Sequence, residues 1–249
     1  ADFTNPIWEA LRERQDVFSG SFAYVDESFD LAGGGESRPV QGSWVSGGYF
    51  PTLGVAAAAG RPLGLADDRP GCPAVAMLSH GFWRSEYGGD RSVVGRTIPL
   101  NGHPFEIVGV AAEGFSGFDV GRAAQIFAPL CAKAILEPPT GGLDNHYMWF
   151  LRIVGRVRDG LTLDQARTRV EAMAPAIYAA TIPPDAGEEM RRGYLEGSLS
   201  LVPTATGYSD LRMQFDRALM ALMIVVGIVL LIACANVANL LLARAASRR

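Results

Sequence analysis

Three histidines, three cysteines and a few neighbouring carboxylates are the residues with which this chain could do chemistry. His80, His103 and His146 stand far apart, and none belongs to an H-E-x-x-H helix or sits beside a second ligand at metal spacing. Ser79 precedes His80 directly, but a nucleophile and its base meet through folding rather than adjacency. GFSGF, Gly114 to Phe118, is only superficially a nucleophile elbow, because its second glycine comes one place too early. There is no Walker A sequence, and GGGE at Gly33 lacks the strand–loop–helix context that lets a backbone cradle phosphate. Asp67 with Asp68, or Glu86 with Asp90, are conceivable acid and base pairs, although carboxylates in such settings are far more often surface groups. The reading is of a chain with no catalytic residue, no cofactor and no metal ligand.

The elements that would position these residues alternate between helix and strand. Thr4 or Asn5 followed by Pro6 starts a short helix to about Gln15, with Ile7 and Leu11 on one face. Ser21–Val25 and Val40–Ser46 read as strands around a turn at Gly33–Gly35, followed by a loop-rich passage from Gly47 to Gly64. AVAML, Ala74–Leu78, reads as a buried strand, and Ser79 caps a helix, HGFWRSEY, that ends at Gly88. Asn101-Gly102 between two alternating runs predicts a β-hairpin with a type I′ turn, since both central residues need positive φ. Gln125–Leu130 and Met148–Val157 are further strand candidates, the second with Arg152, Arg156 and Arg158 on one face. Thr162 with Gln165 forms a capping box for a helix whose stripe is Leu163, Ala166, Val170, Met173 and Ile177, and Pro175 is expected to kink or end it. Pro183–Gly193 reads as a mobile loop and Ser198–Pro203 as a last strand. The fold class is therefore α+β over residues 1–210, with strands and helices interleaved.

Residues 211–249 are different. Between Arg217 and Arg244 no residue is charged, and at ~1.5 Å per residue this run measures roughly 39 Å, more than the ~30 Å hydrocarbon core of a bilayer. It predicts one transmembrane α-helix. At 100° per residue Ala235, Asn236, Asn239 and Ala243 fall in one sector, away from Val237, Leu240 and Leu241. Small side chains allow close approach of a neighbouring helix, and an amide in hydrocarbon seeks a partner, so this stripe is expected to pack against other membrane helices.

Composition narrows the classes further. The chain has 249 residues, a formal net charge of −4 and no basic cluster, which argues against nucleic acid as a partner. Cys72 and Cys131 can pair if the domain faces an oxidising space, and their spacing leaves this open; Cys234 lies in the apolar run. The start carries neither a basic leader nor an apolar signal region. Arg212 and Arg217 precede the membrane run and Arg244, Arg248 and Arg249 follow it, a slight bias toward a cytoplasmic C-terminus. A domain outside the membrane needs an upstream signal or helix to cross, so the sequence is expected to be part of a longer protein at both ends.

Four stretches then meet a known pattern: Val45–Leu63, Ala74–Ala111, Arg156–Val170 and Leu230–Arg249. In combination they resemble the MacB-like and FtsX-like permeases of ABC transporters, specifically the duplicated permeases of acidobacterial genomes. The resemblance implies an extracytoplasmic MacB-like core domain carried between the first and second membrane helices, with the segment from about Ala218 to Ala246 as the second. It implies a cell inner membrane location, with residues 1–210 periplasmic and the C-terminus cytoplasmic. The implied partners are a separate cytoplasmic ABC ATPase, other permease helices or a second permease copy, a periplasmic adaptor and membrane lipid. Export of drugs or peptides and extraction of lipoproteins are the implied substrate classes. Two rival readings stand beside it: a membrane-anchored sensor or binding domain without transport, and an anchored hydrolase, which needs His80, His103 or His146 gathered with a nucleophile. Replacing Asn236 and Asn239 together by Leu is predicted to weaken helix association while leaving insertion intact, as read by co-purification of the helix partners in mild detergent.

Overall fold

The computed structural model describes residues 2–32, 35–69, 71–204, 207, 220–235 and 238. Two compact units result: Ala1–Phe118 with Arg122–Thr204, and Asp119–Gly121 with Ala205–Arg249. In the first unit the helices are α1 (Asn5–Arg14), α2 (Tyr49–Leu53), α3 (His80–Tyr87), α4 (Lys133–Leu136), α5 (Leu163–Ala180) and α6 (Glu188–Leu195). The strands are β1 (Phe18–Asp30), β2 (Pro39–Val45), β3 (Ala57–Gly60), β4 (Val75–Leu78), β5 (Thr97–Leu100), β6 (His103–Ala111), β7 (Ile126–Pro129) and β8 (Arg152–Val157).

The strands form one mixed sheet in the order β3-β6-β4-β7-β2-β1-β8, with β5 paired to β6. Pairs β4–β6 and β2–β7 are parallel, and the others are antiparallel. Alternation along each strand separates two cores. One face gathers Ala23, Trp44, Leu78, Ile107 and Ile126 under α1, α3 and α5. The opposite face gathers Phe22, Tyr24, Met77, Val108 and Phe127 with Tyr49 and Phe50 of α2. Central strands therefore read as unbroken apolar runs, as a sheet covered on both sides requires. Gly42 serves this packing directly, because a side chain there would run into the ring of Phe29, 2.1 Å from the added carbon.

Local signals set most boundaries. Thr4 caps α1, and Ser79 caps α3, which ends at the left-handed Gly88. Thr162 and Gln165 form the full capping box of α5. The turn between β5 and β6 has Asn101 at φ 49° and Gly102 at φ 82°, as the hairpin reading requires. Pro175 lies inside α5 rather than at its end: losing one backbone hydrogen bond is offset where Ala174, Ile177 and Tyr178 bury the same turns. Two expectations fail. Pro183–Gly193 is not all loop, because α6 begins at Glu188, with Glu188 and Glu189 in its first turn and Arg192 in its last, the arrangement a helix dipole favours. Ser198–Pro203 is not a strand; it finds no ladder partner among the described residues, and only Leu199 is buried. The passage from Gly47 to Gly64 also holds more structure than its glycines suggest, namely α2 and β3.

In the second unit, residues 220–235 are helical and Met223, Leu231 and Ile232 are exposed. Among the described residues no helix is long and apolar enough to cross a membrane. Asn236, Asn239 and Ala243 lie outside the described residues, and Ala235 ends the described helical run.

Gly102→Val forces a β-branched side chain into positive φ and is expected to lower the stability of the first unit by about 1–2 kcal/mol, read as a lower thermal midpoint. Gly102→Asn, which tolerates that conformation, is expected to keep most of it.

Candidate functional site

The residues that could do chemistry are dispersed onto separate elements. His80 opens α3 and sets its ring edge-on to Trp83 at 5.3 Å. His103 opens β6 opposite Leu100, and the Nδ1 of His146 lies 2.8 Å from the carbonyl of Thr181. A cavity of about 380 Å³ includes Ser79, His80, Ser85, Ser116 and Gln125 in its lining. Its polar groups serve local structure: Ser79 accepts from Phe82 N, Ser85 donates to the Phe82 carbonyl, and Gln125 accepts from Gln41 N. Phe115 and Phe118 of the GFSGF stretch pack against the aromatic face of the sheet. Among the described residues no group of three His, Cys, Asp or Glu side chains could hold a metal ion.

The conceivable acid pairs are fastenings. Asp67, 3% exposed, takes a two-pronged hydrogen bond from Arg61, both arms 2.7 Å, and a third from Gly64 N at 2.9 Å. Burial alone would push the Asp67 carboxyl up, but these donors and the guanidinium charge together hold it below its ordinary value of 3.8. Asp68 accepts from Gly47 N at 2.9 Å. Glu86 pairs with Arg38, and Asp90 pairs with Arg96 at 2.9 Å. The loop that contains Asp67 is tied a second time, because Cys72 and Cys131 form a disulfide with Cα atoms 5.8 Å apart.

Two further fastenings carried no legible signal. Lys133, the chain's single lysine, is buried and reaches Glu27 at 3.2 Å and Glu137 at 2.6 Å, while Trp44 Nε1 also donates to Glu27. Asn101 holds the hairpin tip to β1 by accepting from Asp30 N and donating its own N–H to the Asp30 carbonyl, at 2.7 and 2.8 Å. The Asp30 side chain in turn accepts from Ala32 N, Arg38 N and Ser37 Oγ, which holds it below the usual carboxylate range, with the Arg38 amide the largest influence.

The first and last stretches of this unit are anchored to one region. Phe3 N donates to the Leu151 carbonyl at 2.7 Å, Leu151 N returns the bond to Phe3 at 2.9 Å, and Asn5 Nδ2 donates to the Leu143 carbonyl at 3.0 Å. At the other end Tyr178 donates to the Ser198 carbonyl at 3.3 Å and Leu199 is buried. Between these anchors α1 lies against α5, and α5 against α6.

A family model described as the MacB-like periplasmic core domain matches residues 1–173. The chain belongs to that family. Its fold is similar to the periplasmic region of MacB from Actinobacillus actinomycetemcomitans, with a TM-score of 0.55 and 14% identity over 80% of this chain and 85% of that one. It is also similar to the extracellular domain of YknZ, a noncanonic ABC-type transporter from Gram-positive bacteria, with a TM-score of 0.51 and 16% identity over 71% and 82% of the two chains. No curated protein matches the sequence. In this MacB-like core domain the Asn101-Gly102 turn is a structural tip, and the three histidines stand on separate elements with different neighbours.

Asp67→Asn is expected to cost about 1–2 kcal/mol, less than a fully buried pair because Arg61 is half exposed. The sign with pH follows from the lowered carboxyl: its contribution is complete above the ordinary value of 3.8 and is lost as pH falls through the lower folded value. Thermal midpoints taken down to about pH 2 should therefore fall more steeply for the wild type than for Asp67→Asn.

Proposed function

We propose that this chain is part of a non-catalytic permease subunit of an ABC transporter. A separate cytoplasmic ATPase hydrolyses ATP, and the permease carries that conformational change to an extracytoplasmic domain that exports or extracts a substrate of the drug, peptide or lipoprotein class. The match of residues 1–173 to the MacB-like periplasmic core domain carries the reading. The charge-free run between Arg217 and Arg244 supports it as the transmembrane helix that follows the domain, in the inner membrane, with the C-terminus cytoplasmic. In this reading Ala235, Asn236, Asn239 and Ala243 pack against other permease helices or a second permease copy, and a periplasmic adaptor meets the domain outside.

Two features of the first unit suit such a role. The Cys72–Cys131 disulfide is a bond that persists in oxidising spaces such as the periplasm. Phe3, just before α1, is bridged to Leu151, just before β8, and Ser198 is held by Tyr178 of α5, so both ends of the unit are fastened to its body. Coupling needs rigid bodies that move between discrete arrangements, and a domain with fastened loops moves as one piece.

The test is to purify the complete gene product from native membranes in mild detergent, identify what comes with it and assay ATP hydrolysis. The expected result is a co-purifying ABC ATPase whose turnover changes several-fold when the permease is present, a coupling of about 1 kcal/mol or more. If no nucleotide-binding partner appears under several gentle extractions, the anchored sensor or binding domain replaces this reading.

A further inference from the structure

Three stretches of chain that are distant in sequence meet at the cavity beside His80. Residues 79–82 follow the carboxyl end of β4, residues 114–116 come after that of β6, and residues 123–125 lead into β7. β4 and β6 are parallel neighbours, so the cavity lies off the carboxyl ends of two parallel strands. Sheets of this kind receive ligands there, because the loops diverge and a helix begins. The helix in this case is α3, capped by Ser79.

The lining keeps hydrogen-bonding capacity that the fold does not use. Ser79 is 5% exposed; its oxygen accepts from Phe82 N, and its hydroxyl hydrogen meets no acceptor among the described residues. Gln125 spends only its Oε1, on Gln41 N, and leaves its amide hydrogens unpaired among the same residues. Ser116 Oγ likewise meets no partner there. The amides of His80 and Gly81 open α3 and precede its first intrahelical bond. What is left over is chiefly donor. Among the described residues no Asp, Glu, Lys or Arg lines the cavity, and His80 is its only ionisable side chain.

We propose that this cavity binds a small organic carboxylate. Unpaired donors gathered around a buried hydroxyl and a helix start favour an anion. Donors without a lysine or arginine suit a single negative charge, whereas a phosphate near two charges draws on cations. Phe82, Phe115 and Ala124 give the ligand's carbon chain an apolar wall, and a volume of about 380 Å³ is near the lower end for small-molecule sites, room for a dipeptide or less. Every lining residue belongs to the first unit, so the inference goes beyond the transporter reading and is tested apart from it.

The full chain in mild detergent is titrated calorimetrically with lactate, with acetyl-alanyl-alanine bearing a free carboxylate, with the same peptide as its amide, and with inorganic phosphate. The expected result is a carboxylate Kd of about 1 mM or lower, with the amide and phosphate about tenfold weaker or more. Tighter binding of the peptide assigns the carboxylate to a chain terminus, and equal or tighter binding of lactate assigns it to a free acid. Gly81→Leu occupies the site: an added Cβ there meets nothing within 4 Å, and Leu is the better helix former. Its thermal midpoint is expected to hold while carboxylate binding falls about tenfold or more. Ser116→Ala removes one unpaired hydroxyl, is expected to weaken binding about threefold or more, and decides the matter if Gly81→Leu does not fold. The inference is overturned if neither carboxylate binds up to about 20 mM, if the amide or phosphate binds as well as the acids, or if binding survives both substitutions unchanged.

Discussion

A sheet whose central strands are buried on both faces must be roofed on both sides, and most of this domain follows from that constraint. Ala76 and Leu78 of β4 point to one core and Val75 and Met77 to the other, so neither side can be left to solvent. One roof is helical, made of α1, α3 and α5; the other is aromatic, where Tyr49, Phe50, Phe115 and Phe127 meet with ring centres 5.2 to 6.2 Å apart. The short helix α2 exists to deliver two of those rings. With few buried polar side chains to satisfy, the core is dispersive and hydrophobic, and its strength scales with the apolar area it hides.

The polar residues then act at the margins, where loops leave the sheet. Asp67 with Arg61, Asp30 with Asn101 and the Cys72–Cys131 bond each tie a loop or turn to another part of the unit, and Lys133 with Glu27 ties α4 to β1. None of these sets resembles a proton-transfer site, in which a base faces a reactive partner across an open pocket; each donor here meets an acceptor and is used up. Met190 and Leu195 of α6 stay exposed, as do Leu65 and Val202.

How much of this was legible in the sequence depended on the range of the interaction. Caps, the Asn-Gly turn and the alternating strands were legible because each is a bargain between residues a few positions apart: Thr162 with Gln165, Ser79 with the first turn of α3, Asn101 with Gly102. Membership of the MacB-like family was legible in four stretches taken together, of which Ala74–Ala111 and Leu230–Arg249 are specific in combination, although a single piece such as the Asn-Gly hairpin is not. The misreadings have the opposite character. Ser198–Pro203 has strand-like residues but finds no ladder partner among the described residues, and the loop-like Pro183–Gly193 holds the start of α6.

By itself, the sequence determined local conformation and chemistry: the positions of the caps, the α+β alternation, the charge-free run, and a set of histidines and carboxylates with no catalytic spacing. Only the tertiary structure decided which distant residues meet. It joined Cys72 to Cys131 across 59 positions and Lys133 to Glu27 across 106, and it brought Trp149 beside Tyr194 on an uncovered face. The physical reason is that helix and turn preferences are settled within a few residues by backbone hydrogen bonds and sterics. Pairings between remote side chains depend instead on the order in which strands enter the sheet, and strand order is a property of the whole packed core.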